Sequence, residues 1–147
     1  ASHIIREMID YHKIPYHMIY NIKRGDDFIT TEGDVIKNET LTVPGTPSKK
    51  YAYCSDTAYD PDVVKYIKNV DLLYHEATFA ESENKRAEET YHSTAGQAAT
   101  IAKMAEVKKL VIGHFSSRYN ELGVLLKEAS LIFPETELAS EGKIFEL

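Results

Sequence analysis

Between Lys50 and Tyr119 three short apolar runs alternate with segments of helical periodicity. The first run, Tyr51-Ala52-Tyr53-Cys54, gives way to Ser55-Asp56-Thr57. The second, Val70-Asp71-Leu72-Leu73-Tyr74, stops at His75-Glu76-Ala77-Thr78. The third, Leu110-Val111-Ile112-Gly113, stops at His114-Phe115-Ser116-Ser117-Arg118-Tyr119. Short apolar runs with these abrupt ends predict strands over 51–55, 70–74 and 109–112. The segments between them predict helices. Asp60-Pro61-Asp62 has the chemistry of a helix start for 61–69, and Ser93 or Thr94 can cap a helix over 94–105. A third helix, over 121–133, gathers Leu122, Leu125, Leu126, Ala129 and Ile132 on one face before Pro134. Thr136–Ala139 is β-like, Glu141-Gly142 is a turn, and Lys143–Leu147 is β-like again. The order is the βαβαβαβ pattern of an α/β protein with a parallel sheet.

The first third is patterned differently. Ile4, Ile5, Met8 and Ile9 predict a helix over 4–11, which Pro15 keeps from running on. Residues 16–43 are β-like, with Phe28-Ile29-Thr30-Thr31 and Asp34-Val35-Ile36 flanking a Glu32-Gly33 turn. Pro44-Gly45-Thr46-Pro47 is the one plausible internal boundary, dividing a β-rich lead-in over 1–47 from an α/β part over 48–147. The charged segment Glu81–Glu89 is a loop or solvated helix of a length suited to a flap.

Composition narrows the setting. The chain has 147 residues and a formal net charge of −6, which argues against indiscriminate binding of nucleic acid. No apolar run approaches the roughly 18 residues of a membrane span, so no membrane partner is expected. One cysteine, Cys54, forbids an internal disulfide and points to a reducing cytoplasm. It is read as a core residue. His3, His12 and His17 lack partner residues at ligand spacing.

The chemistry concentrates at the ends of the runs. In an open parallel sheet, ligands bind beyond the carboxyl ends of the strands, so Asp56, His75, Glu76 and His114 are expected on one edge. The two oxygens of Asp56 can each meet a cation, although an aspartate after a strand is more often a turn residue. His114 follows Gly113, which lets the backbone pass close to something, and imidazole is the commonest neutral metal ligand. Of His75 and Glu76 only one can face the site, because neighbouring strand residues point to opposite faces, so a supporting role suits the pair. His92, before a capped helix, is placed to act as a general acid toward an anionic substrate. Ser116, Ser117 and Arg118 could hold phosphate through hydroxyls and a guanidinium fork.

Taken together, Ser55-Asp56-Thr57, His75-Glu76-Ala77-Thr78-Phe79, His92-Ser93-Thr94 and Gly113-His114-Phe115-Ser116-Ser117-Arg118-Tyr119 resemble the carboxyl-terminal half of ribonuclease Z. This is the transfer-RNA 3′-processing endonuclease of the metallo-β-lactamase fold. The resemblance runs from about Ile14 to Leu147 and implies half of an αββα sandwich. It implies that Asp56 bridges two zinc ions and that His114 ligates one. It further implies that His92 lies close to the scissile phosphate with His75 and Glu76 supporting it, and that Ser117 and Arg118 contact phosphate. The implied substrate is precursor tRNA, cut after the discriminator region to leave a 3′-hydroxyl, by a cytoplasmic homodimer. One departure is large: the family's H-x-H-x-D-H signature occurs nowhere in this sequence. The chain is therefore expected to be about half an enzyme and inactive alone. Another hydrolase of the same fold, or a non-catalytic α/β module, are the alternatives.

Overall fold

The computed structural model describes residues 1–147, and the chain divides into two units, Ala1–Ser48 and Lys49–Leu147. The first unit holds two small antiparallel ribbons. Strand β1 (His3–Ile4) pairs with β4 (Thr42–Val43), and β2 (Phe28–Ile29) pairs with β3 (Val35–Ile36) around the expected Glu32-Gly33 turn. Helices α1 (Arg6–Tyr11), α2 (Ile19–Ile22) and α3 (Asn38–Leu41) complete it, around a small core of Ile14, Ile22, Phe28 and Leu41. Two stretches expected to be β-like are thus helical. A 3-10 turn over Tyr16–Met18 runs into α2, and α3 occupies the region before β4. Aromatic and β-branched residues favour strands locally, yet burying Ile22 beside Ile14 rewards a turn of helix here.

The second unit is one four-stranded parallel sheet in sequential order: β5 (Tyr51–Cys54), β6 (Leu72–Glu76), β7 (Lys109–Gly113) and β8 (Thr136–Leu138). Helix α4 (Val64–Ile67) links β5 to β6. Helices α5 (Asn84–Glu89) and α6 (Ala95–Met104) link β6 to β7, and α7 (Gly123–Ile132) links β7 to β8. The βαβαβαβ order expected from the sequence is the order observed. The helices bury Ala98, Ala99, Ile101, Ala102, Leu125 and Ala129 against Leu73, Leu110 and Ile112 of the sheet. Small alanines on α6 and α7 let these helices lie close to each other and to the strands. On the other face Tyr53 stacks on Tyr74 at 4.6 Å between ring centroids, while Tyr51 and Tyr53 stay exposed. No helix is long and apolar enough to cross a membrane.

Three boundaries differ from expectation, and one matters for the site. Strand β6 starts and ends two residues later than predicted, so His75 and Glu76 lie inside it rather than beyond it. Asp71 is excluded because its carboxylate takes the Lys50 amide at 2.8 Å and the Lys108 ammonium at 2.7 Å. The helix predicted over 61–69 is a 3-10 turn, Pro61–Val63, followed by the short α4. Lys143–Leu147 forms no strand.

Candidate functional site

The carboxyl edge of the sheet is built on Glu76. This last residue of β6 is fully buried, and its carboxylate accepts five hydrogen bonds from three chain segments. Oε1 takes the Thr57 amide at 3.0 Å and His92 Nδ1 at 2.7 Å. Oε2 takes the Thr78 hydroxyl at 2.6 Å, the Ser93 amide at 3.1 Å and the Thr78 amide at 3.2 Å. Burial pushes the Glu76 carboxyl up. The bonds from Thr78, His92 and Ser93 together outweigh it and hold the group below the usual carboxylate range. Glu76 is therefore an anion that only accepts.

That anion fixes the imidazole of His92. A carboxylate at 2.7 Å requires a hydrogen on Nδ1, which leaves Nε2 as the nitrogen free to face a ligand or substrate. The loop carrying His92 is pinned in turn. The buried Ser93 hydroxyl donates to the Thr57 carbonyl at 2.7 Å, and Thr94 caps α6 in a reciprocal capping box with Gln97. Thr94, rather than Ser93, is the cap. Glu81 takes the Thr94 hydroxyl at 2.6 Å, placing a carboxylate at the helix start.

Asp56 and His114 stand at the ends of β5 and β7, and each has left-handed backbone, with φ of 49° and 58°. Tyr91, immediately before His92, has φ of 59°. Non-glycine residues rarely adopt this region, and three at or beside one site mark a backbone held against local preference. Gly113 is required for another reason. A Cβ there would lie 2.7 Å from the Tyr74 ring, so the close approach foreseen for this glycine is to the stacked tyrosine.

The result brings Asp56, His92 and His114 together, with one metal-ligating atom of each within 4.8 Å of the others. His114 Nε2 lies 3.0 Å from an Asp56 carboxylate oxygen, and the His92 and His114 rings are 5.2 Å apart. One carboxylate oxygen and two imidazole nitrogens converging in this way fit a cation: atoms sharing one tetrahedral zinc sit about 3.4 Å apart. The donor set thus suits a divalent metal. His92, which the sequence separated from the ligands, belongs to the same cluster by position.

His75 is not in it. Alternation along β6 turns His75 to the helix side, where its Nδ1 bonds the Glu76 carbonyl at 2.7 Å and burial pushes its pKa down, keeping it neutral. Arg118 also faces elsewhere. Its guanidinium pairs with Glu83 at 2.9 Å and covers the Phe79 ring at 5.1 Å, tying the segment after β7 to the charged Glu81–Glu89 stretch. Ser117 is exposed at the rim. Sequence reading missed Thr57, Thr78 and Ser93, whose polar atoms hold Glu76. Only the Thr94 cap left a recognisable signal, Thr-x-x-Gln.

A family profile described as a beta-lactamase superfamily domain matches residues 33–115. Ribonuclease Z of Bacteroides thetaiotaomicron is 59% identical over 141 residues, covering 96% of this chain and 45% of that protein. The chain spans about half the length of the curated relatives it matches. Among solved structures, a metallo-beta-lactamase fold protein of Bacillus subtilis superposes with a TM-score of 0.60 at 24% identity, over 83% of this chain and 48% of that one, and so shares the fold. A long form RNase Z from yeast superposes with a TM-score of 0.52 at 30% identity, over 59% of this chain and 12% of that one.

Proposed function

The chain belongs to the β-lactamase superfamily, and from that premise we propose that it forms part of a zinc-dependent endoribonuclease removing the 3′ trailer from precursor tRNA. The observation that carries the reading is the Glu76 anchor: one buried carboxylate holds His92 and, through Thr78, His114, so that both face Asp56. The similarity to Ribonuclease Z relatives, at high identity over nearly the whole chain, supports an RNA substrate.

In this reading Asp56 and His114 hold metal, with further ligands from outside this chain and two ions in the complete site. A metal held there would supply Lewis acidity, lowering the pKa of a water and offsetting charge on the phosphate. As an imidazolium, with one proton on Nδ1 toward Glu76 and a second on Nε2, His92 passes the Nε2 proton to the leaving 3′-oxygen, and Glu76 stabilises that charged form. His75 supports Glu76 from the helix side. Ser117 binds phosphate, and Arg118 joins it by exchanging Glu83 for the backbone of the RNA. The assembly is a cytoplasmic homodimer. The 147-residue chain alone does not cleave.

The test is single-turnover cleavage of a precursor tRNA by the complete protein, with the product end mapped. Cleavage after the discriminator region that leaves a 3′-hydroxyl supports the reading. An inert precursor tRNA alongside rapid hydrolysis of a small phosphodiester would assign the site to another hydrolase of the fold.

A further inference from the structure

Thr78 occupies the one position that touches both halves of the cluster. It is nearly buried, at 6% exposure, and its hydroxyl lies 2.6 Å from Glu76 Oε2 and 2.9 Å from His114 Nδ1. The same oxygen is 3.0 Å from the His114 carbonyl. A threonine hydroxyl has one proton to give and two lone pairs to offer. Glu76, ionised and at the shortest distance, takes that proton. The bond to the imidazole must then run the other way, with His114 Nδ1–H donating to the Thr78 oxygen.

We propose that Thr78 is a positioning residue that holds a proton on His114 Nδ1, so that Nε2, 3.0 Å from an Asp56 carboxylate oxygen, is the nitrogen offered to a metal shared with Asp56. The inference rests on the reading that Asp56 and His114 hold a metal, and it adds a residue to that site. Glu76 thus governs both imidazoles: His92 directly, and His114 through a relay of one hydroxyl. The two relays differ in kind. His92 loses its tautomer only if Glu76 is altered, whereas His114 loses it when the hydroxyl alone is removed. The backbone strengthens the arrangement, since the Ser116 amide donates to the Thr78 carbonyl at 3.1 Å and holds the turn after His114 against Thr78.

Nitrogen-15 spectra of the histidine rings in the complete, metal-free protein read the tautomer directly, and zinc titration against a competing chelator reads the consequence. The wild type should show His114 protonated at Nδ1. Thr78→Val, which keeps the shape and removes the hydroxyl, should give mixed tautomers and a zinc affinity lower by about 10–100-fold. Thr78→Ser should restore both, which a purely structural loss would not do. A wild-type His114 that carries no proton on Nδ1 overturns the assignment without any variant. Unchanged tautomer and affinity in Thr78→Val overturn it equally. The expected tautomers in wild type and variants, with no zinc bound by any of them, would support the Thr78 assignment and reject the metal reading on which it was built.

Discussion

Glu76 and His92 are separated by sixteen positions in the chain, yet Oε1 of one and Nδ1 of the other stand 2.7 Å apart, with the carboxylate wholly enclosed. The bond orients the imidazole and gives a buried carboxylate a hydrogen-bond donor at once. Every polar neighbour of Glu76 is a donor, so its amide counterpart has no fitting orientation. Glu76→Gln places an NH₂ group against N–H donors whichever way it turns. It should lower stability by about 3 kcal/mol. Urea unfolding of the complete protein measures this, and a change below about 1 kcal/mol would contradict the anchoring role.

His92 and His114 share a cluster, but their roles are proposed to differ. His114→Ala should lower zinc per chain, because it removes a ligand. His92→Ala should keep its zinc and lose roughly 10²–10⁴-fold in single-turnover rate. Both variants need both measurements. Loss of zinc from His92→Ala would make His92 a ligand, and full rate with full zinc would make it scaffolding.

Gly113→Ala puts a methyl into the Tyr74 ring, which is itself stacked on Tyr53. The expected destabilisation is about 1–3 kcal/mol. Because the clash is with one side chain, Tyr74→Ala in the same molecule should recover part of that loss. A double-mutant cycle in thermal unfolding checks it; additive effects would place the strain elsewhere.

Glu137 joins β8 to Lys109 on β7 and to Lys143, each at 2.8 Å. Hydrogen bonds from Lys109 and then Lys143 lower its pKa from 4.5 to about 2. A depressed carboxylate pKa stabilises the fold above the unfolded value, and the contribution disappears as pH falls from 4.5 toward 2. The side chain is 36% exposed, so screening leaves less than about 1 kcal/mol. Glu137→Gln should destabilise slightly at pH 7 and not at all near pH 2, and added salt should shrink the difference.

The sheet was legible because its strands are continuous apolar runs, its two longest helices carry apolar stripes, and α6 opens on the Thr94 cap. Leu110 to Gly113 and Leu122 to Ile132 announced themselves in this way. Strand ends were less legible: whether His75 ends a strand or follows one depends on Asp71 being drawn off to Lys50 and Lys108, which lie elsewhere in the chain. The helical turn over 16–22 was hidden because its residues favour strands locally while its packing favours helix. In the site, Asp56, His92 and His114 could be picked out by chemistry, and resemblance ordered them. Thr57, Thr78 and Ser93 could not, because hydroxyls and backbone amides carry no special signature and their partner is a distant carboxylate.

The five bonds to Glu76 come from segments that follow β5, follow β6 and precede α6, and the relay through Thr78 reaches past β7. Thr57 and His92 lie 19 and 16 residues from Glu76, and His114 lies 36 from Thr78, so these bonds close long loops before any contact rewards them. Until those loops close, the Glu76 carboxylate has only the amide and hydroxyl of Thr78 beside it in the chain. The geometry of the cluster is thus coupled to the tertiary fold as a whole, so a substitution that loosens the sheet should disorganise Asp56, His92 and His114 together.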